Sequence, residues 1–251
     1  MAAVRALLLP GIVTPAGLAY ERLVAALGDG VDARPKELEV YRGARPPDGY
    51  SLGTEVAGVL RAADAAGWER FHLVGYSGGG AVAAVTAATE PGRLASLALL
   101  EPAWTGTEGL SAAEEDARAE FEQLADLDPG AFLATFARLQ LRPGVHPPPP
   151  PDPPPPWLAA RPAAIRALTA AFAAAELDPD ALRRFDRPVY HALGGLSRPE
   201  LYAEQAARLA RLFHDFTQEV FEERHHFDPP HRVEPERLAA SLLALWRRAE
   251  G

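Results

Sequence analysis

The sequence feature that most restricts the possible folds of this chain is a regular alternation of short apolar runs with helical patterns. Apolar runs of this length predict buried strands, and helices between successive strands predict parallel pairing. We place six strands at Val4–Leu9, Leu38–Tyr41, Phe71–Gly75, Leu94–Leu100, Pro188–Leu193 and Phe216–Phe221. We place helices near Tyr20–Leu27, Ser51–Ala66, Gly80–Thr89, Glu200–Leu212 and Glu234–Trp246. The sequence therefore predicts an α/β protein, with a mostly parallel sheet of about six strands flanked by helices.

The alternation stops after Trp104, and no strand pattern returns for about eighty residues. Within this stretch, Ser111 and Glu114 have the spacing of a capping box, and Pro162 opens an alanine-rich helical segment. A connection of this length inside a compact domain indicates an insertion. We therefore expect an α/β core formed by residues 1–103 and 187–251, and a helical cap formed by residues 104–186.

A proline-rich segment, residues 147–156, lies inside the expected cap. Proline fixes φ near −65° and has no amide hydrogen, so this segment predicts an extended polyproline II strut between helices. Docking of a proline-recognising partner is the alternative interpretation.

Composition excludes several classes of function. The formal net charge is −9 and Lys36 is the only lysine, so we expect no nucleic-acid partner. The absence of cysteine excludes disulfides, thiolate metal sites and cysteine nucleophiles. The apolar N-terminal run is too short to cross a bilayer, so we expect a cytoplasmic protein without a membrane partner. The lack of asparagine and the density of proline and arginine agree with a heat-adapted source, and high-GC codon usage is the alternative explanation for the excess of arginine over lysine.

Residues 75–79 read Gly-Tyr-Ser-Gly-Gly, which fits G-x-S-x-G between a predicted strand and a predicted helix. In a nucleophile elbow the serine backbone is strained, and the residues two before and two after it must be small. Gly75 and Gly79 meet that requirement. The turn places Ser77 at a helix N-terminus, where developing negative charge is favoured. A purely structural glycine turn is the alternative.

A serine nucleophile needs a base, and three histidines fall between the last predicted strand and the last predicted helix. We choose His226, which is followed by Phe227 and a proline turn. His225 is the competitor, and we expect His231 to be a solvated turn residue. These histidines lack a recognisable metal-ligand spacing, so we expect no metal.

The motifs LLLPGI, GYSGG and RHHF, with a helical segment before the last of them, resemble the α/β-hydrolase fold superfamily in content and order. The resemblance implies a nucleophile above a sheet, a cap over the pocket, no cofactor, and hydrolysis of esters or similar bonds. It also implies that the backbone amides of Ile12 and Gly78 form the oxyanion hole. The usual His-Gly of the oxyanion loop is replaced by Pro10-Gly11, which leaves the backbone donor in place.

The position of the triad acid departs from the common pattern of this superfamily. Most members carry the acid after the strand that corresponds to PVYHALGG, but residues 194–197 contain no carboxylate. A minority takes the acid from the end of the preceding strand, and by that resemblance Glu101 is the candidate. A glutamate that only bonds a neighbouring backbone amide is the alternative.

These features favour a serine hydrolase that forms an acyl-enzyme on Ser77 and acts on a small or medium apolar ester. A non-catalytic ligand-binding member of the same fold is one alternative. A dinucleotide-binding oxidoreductase is another, because residues 78–83 also spell G-x-G-x-x-A and Glu101 ends the next strand. The expected partner is a small molecule, and the sequence carries no signal for oligomeric state.

Overall fold

A six-stranded sheet, parallel throughout, organises the chain in a computed structural model that describes residues 3–127, 129–149 and 151–250. The strands are β1 (Val4–Leu9), β2 (Val31–Pro35), β3 (Phe71–Tyr76), β4 (Leu94–Leu100), β5 (Val189–Gly194) and β6 (Phe216–Phe221). Their order across the sheet is β2-β1-β3-β4-β5-β6, and each neighbouring pair is parallel. The predicted α/β class is thus confirmed, and β3, which leads to Ser77, lies inside the sheet.

Helices cover both faces of the sheet. They are α1 (Ala16–Leu27), α2 (Leu52–Ala65), α3 (Gly78–Thr89), α4 (Ala112–Glu122), α5 (Pro129–Arg138), α6 (Arg161–Ala174), α7 (Pro179–Arg183), α8 (Pro199–Leu212), α9 (Pro230–Val233) and α10 (Pro235–Glu250). Successive strand residues face opposite sides. Leu7 and Leu9 accordingly pack in the core that includes α2 and α3, whereas Ala6 and Leu8 pack in the core that includes α1 and α10.

One predicted strand is wrong. Residues 38–41 were expected to form it, but the second strand is β2, and Glu39–Tyr41 forms a 3-10 helix. The carboxylate of Glu55 accepts hydrogen bonds from the amides of Glu39 (2.8 Å) and Val40 (3.0 Å), which takes these donors out of a strand ladder. β2 was missed because it is a half-buried edge strand, VDARP, without an apolar run.

The connection between β4 and β5 contains α4 to α7 and, within the described residues, no strand beyond an isolated bridge between Leu141 and Ser197. In the proline-rich segment, Pro155 has the φ of −64° and ψ of 146° of polyproline II. Pro156 instead begins a 3-10 helix, Pro156–Ala160, and Pro150 lies outside the described residues. Residues 152 and 153 form a bend, so the described part of the segment is not one continuous extended strut.

Three buried histidines make the stability of the fold depend on pH. Burial lowers the pKa of His72 and His191 to about 4, and that of His231 to about 3. The same groups have a pKa of about 6.5 in the unfolded chain. Because the folded pKa is the lower one, the unfolded chain binds protons first, and stability is lost as the pH falls from about 6.5 towards 4.

We therefore expect His191→Leu to flatten this dependence. Both ring nitrogens of His191 are buried without a hydrogen-bond partner among the described residues, so the substitution removes a titrating group and no bond. Between about pH 7 and pH 5, the free energy of unfolding, measured by urea denaturation, should fall by about 2 kcal/mol less in the variant than in the wild type. An unchanged slope would contradict this assignment.

Candidate active site

Ser77 occupies a strained turn between β3 and α3. Its backbone has φ of 52° and ψ of −118°, a conformation that L-residues rarely adopt. A Cβ atom on Gly75 would lie 2.3 Å from the carbonyl oxygen of Gly79, and one on Gly79 would lie 2.5 Å from the carbonyl oxygen of Pro10. Larger residues at either position would collide with backbone. The local backbone geometry therefore requires glycine two residues before and two residues after Ser77.

The turn brings together the three side chains chosen from the sequence. Ser77 Oγ lies 2.9 Å from His226 Nε2, and His226 Nδ1 lies 3.1 Å from Glu101 Oε2. All three residues are at most 4% exposed. When Nδ1 carries the proton and donates it to the carboxylate, Nε2 is free to accept the serine hydroxyl hydrogen. The contacts form a continuous hydrogen-bonded chain from a hydroxyl to a carboxylate.

Glu101 directly follows β4 and uses its two oxygens differently. Oε1 accepts a hydrogen bond from the backbone amide of Gly194 (2.8 Å), while Oε2 faces His226. Its backbone φ is 44°, and its own amide donates to the carbonyl of Ala192 (3.2 Å). The carboxylate is therefore anchored to the end of β5 by one oxygen and keeps the other for the imidazole. The contact with His226 is the one expected of a triad acid, and the contact with the Gly194 amide is the one expected of a glutamate that only bonds the backbone.

Two tyrosines enclose the imidazole of His226. The Tyr202 ring stacks on it, with ring centroids 4.7 Å apart and an interplanar angle of 18°, and the Tyr76 ring lies 5.0 Å away. The hydroxyl of Tyr76 donates to the backbone carbonyl of His226, and that of Tyr202 donates to Gln140 Oε1 at 2.8 Å. Burial raises the pKa of both tyrosines, and the charge of Glu101 raises it further. They therefore hold the ring as neutral donors.

Sequence reasoning missed both of these tyrosines. Tyr76 is a variable position of G-x-S-x-G, where the motif carries no information. Tyr202 lies on α8, far from any motif, and reaches His226 only through the folded arrangement of α8 and the C-terminal loop.

The other two histidines of that loop lie apart from Ser77. His225 is half-buried, and its Nδ1 accepts a hydrogen bond from the amide of Phe227 at 3.1 Å. The expectation that His231 is a solvated turn residue is wrong. Its ring is fully buried, with centroids 4.9 Å from Tyr20 and 4.6 Å from Tyr76. The covering rings come from distant parts of the chain, so the local sequence did not indicate this burial.

The two amides predicted for the oxyanion hole lie beside each other at the mouth of the elbow. A Cβ on Gly78 would lie 3.8 Å from the nitrogen of Ile12, and both residues line the same cavity as Ser77. Within the part of the chain that the structure describes, neither amide donates a hydrogen bond to another residue. The Tyr41 hydroxyl donates to the carbonyl of Ile12 and supports its loop. Two free donors therefore flank the serine hydroxyl.

A cavity of about 150 Å³ opens above Ser77. Its apolar wall comes mainly from the connection between β4 and β5, through Trp104, Phe121, Phe136, Ile165, Leu168 and Phe172. Trp104 and Phe172 are parallel, with centroids 5.6 Å apart. An apolar enclosure of this kind strengthens the interactions of the few polar groups that face it.

The glycines of the G-x-G-x-x-A pattern lie in close contact with neighbouring parts of the chain. Gly78, Gly79 and Gly80 lie inside α3, and a Cβ on Gly80 would lie 2.8 Å from Cα of Pro102. Gly79 and Gly80 therefore serve the close packing of α3, and the Glu101 carboxylate already has two partners.

Among the described residues, no group of three or more histidine, aspartate or glutamate side chains could hold a metal ion. None of the described helices has the length and apolar character required to traverse a lipid bilayer.

The family model described as alpha/beta hydrolase fold matches residues 31–143 of this chain. The matched stretch contains Ser77 and Glu101 and ends before His226. No curated protein matches the chain at a significant level.

Solved structures match almost the whole chain at low sequence identity. A membrane phospholipase A, described as a bacterial virulence factor, is 20% identical, with 99% of this chain and 80% of that chain covered and a TM-score of 0.75. A thermophilic esterase from Thermogutta terrifontis is 19% identical, with 99% and 91% covered and a TM-score of 0.73. A meta-cleavage product hydrolase from Pseudomonas fluorescens is 16% identical, with 98% and 92% covered and a TM-score of 0.62. The chain therefore has the α/β-hydrolase fold.

Proposed function

We propose that this protein is a serine hydrolase that cleaves an ester bond through an acyl-enzyme on Ser77. The observation that carries the proposal is the continuous hydrogen-bonded chain from Ser77 through His226 to Glu101, next to two free backbone amides. Nucleophile, base, orienting carboxylate and oxyanion donors are the parts that acyl transfer requires, and all of them meet at one end of the cavity.

The reaction begins when His226 Nε2 takes the proton of Ser77 as Oγ attacks the substrate carbonyl. The carbonyl oxygen becomes an oxyanion, which the amides of Ile12 and Gly78 stabilise. The imidazolium that forms is stabilised by Glu101 and gives its proton to the leaving alcohol, so that the acyl group stays on Oγ. A water molecule then repeats the same steps and releases the carboxylic acid.

The cavity favours a small or medium, mainly apolar substrate. Its volume of about 150 Å³ is below the roughly 300–1,000 Å³ of pockets for drug-sized ligands. The helices between β4 and β5 supply its aromatic wall, which supports the interpretation of residues 104–186 as a cap that excludes water. The structural relatives are described as a phospholipase, an esterase and a meta-cleavage product hydrolase. A carboxylesterase-like activity is the simplest reaction that agrees with the site.

Active-site labelling tests the proposal directly. We expect a fluorophosphonate to add once to the folded protein, at Ser77, because an activated serine attacks phosphorus as it would a carbonyl. Intact-mass and peptide mass spectrometry should find no adduct in Ser77→Ala or in denatured protein. Folded protein that neither labels nor hydrolyses p-nitrophenyl butyrate would instead be a non-catalytic, ligand-binding member of the fold.

A further inference from the structure

The buried charged side chains of the cavity lining are paired with each other. Arg208 pairs with Glu114 at 3.2 Å, and both are buried. At the rim, Arg118 lies 3.9 Å from Glu122, and Glu200 lies 3.4 Å from Arg198, which pairs more closely with Glu120 at 2.7 Å. Among the described residues, the buried part of the lining therefore has no unpaired charge to bind a substrate ion. This part of the cavity fits a neutral group.

Gln205 lines the same cavity and lacks the partners that the other polar groups have. Its side chain is 5% exposed, and its Oε1 is buried without a hydrogen-bond partner among the described residues. Gln140 provides the contrast, because its Nε2 donates to the Phe136 carbonyl at 2.9 Å and its Oε1 accepts from Tyr202 at 2.8 Å. Buried amides without partners are rare and unfavourable. The Oε1 atom of Gln205 is therefore free to accept a hydrogen bond from a ligand in this cavity.

The position of Gln205 on α8 relates it to the reacting atoms. Tyr202, Gln205 and Arg208 are spaced by three residues, so they lie along one face of the helix. Tyr202 stacks on the imidazole of His226, and Gln205 follows about 4.5 Å further along the helix axis. A substrate held at Ser77 can therefore reach Gln205 with a group a few atoms from the carbonyl.

We propose that Gln205 binds a hydroxyl group of the substrate, and that the substrate class is a neutral ester with an additional hydroxyl. A hydroxyl both donates and accepts, so it satisfies the amide of Gln205 in either orientation about its last bond. The hydroxyl can lie on the acyl part or on the alcohol part of the ester. This inference rests on the proposed serine hydrolase function and assigns Gln205 a role in specificity.

Matched ester pairs, in which a methyl replaces the hydroxyl, test the inference. The acyl pairs are p-nitrophenyl 3-hydroxybutyrate, as each enantiomer, against 3-methylbutyrate, and p-nitrophenyl 6-hydroxyhexanoate against heptanoate. The alcohol pair is 2-hydroxyethyl butyrate against propyl butyrate, followed by acid release. We expect the wild-type kcat/KM to favour the hydroxylated member by about 10-fold in at least one pair.

The variant Gln205→Met keeps the length of the side chain and removes its amide, and it should abolish that preference while it still hydrolyses the methyl member. Gln218→Met, the same change on the exposed surface of β6, serves as the control and should keep the preference. Hydrolysis without a preference, or a preference that survives in folded Gln205→Met, would overturn the inference alone. Absence of both hydrolysis and fluorophosphonate labelling would overturn the proposed function, and the inference with it.

Discussion

Replacing His226 by alanine is expected to lower kcat for p-nitrophenyl butyrate by about 10⁶-fold, the scale on which a serine hydrolase loses activity without its base. The imidazole lies 2.9 Å from Ser77 Oγ and is 2% exposed, so solvent cannot readily take over its proton transfer. The double variant Ser77→Ala/His226→Ala should lose little more than either single variant, because the two residues act as a unit.

His225→Ala is the matched control for that experiment. It removes an imidazole from the adjacent position, but its Nδ1 contacts the Phe227 amide and not Ser77, so we expect activity within a few-fold of wild type. Far-UV circular dichroism should show that both single variants are folded. If His225→Ala lost activity and His226→Ala retained it, His225 and not His226 would be the catalytic base.

The second large effect is expected for Glu101→Gln, which should lower kcat by about 10⁴-fold, as the equivalent aspartate-to-asparagine change does in serine proteases. The amide oxygen of glutamine can still accept the hydrogen bond from Gly194, so its NH₂ group must face His226. A donor at that position favours the imidazole tautomer that cannot accept the serine proton. Stability should change little, because the bond to Gly194 is retained.

Steady-state hydrolysis of p-nitrophenyl butyrate and the rate of fluorophosphonate labelling should fall together in Glu101→Gln. Thermal unfolding of the variant shows whether the fold is preserved. Unchanged hydrolysis in a folded variant would mean that Glu101 serves only the backbone amide of Gly194, while the roles of Ser77 and His226 would stand.

The sequence could predict the features that local sterics and chain order determine. Gly75 and Gly79 flank Ser77 because backbone atoms approach within contact distance there, and this requirement is visible as a five-residue pattern. Five of the six strands were found, and four of them, β1, β3, β4 and β5, are apolar runs that mark buried parallel strands. The two edge strands lack such a run: β6 was still found between its flanking phenylalanines, whereas β2 was missed.

The features that the sequence could not predict depend on contacts between distant elements. Tyr202 covers His226 from a different element, α8. His231 is buried by Tyr20 and Tyr76, which precede it by most of the chain. Gln205 is notable only because its Oε1 has no hydrogen-bond partner in the described part of the chain, and a missing partner leaves no mark on the sequence. Such contacts are set by tertiary packing and not by local propensity.

The placement of Glu101 at the end of β4 divides the proposed machinery into two modules. β3 and β4 are the two central strands of the sheet and pair with each other, so this pairing positions both Ser77 and Glu101. Of the three side chains, only His226 comes from a separate segment, where the Tyr76 hydroxyl and the Tyr202 ring hold it. The turn after β5 therefore carries no side chain of the proposed triad. Changes in the loop that holds His226 can alter the reactivity of the serine without changing the strands of the sheet.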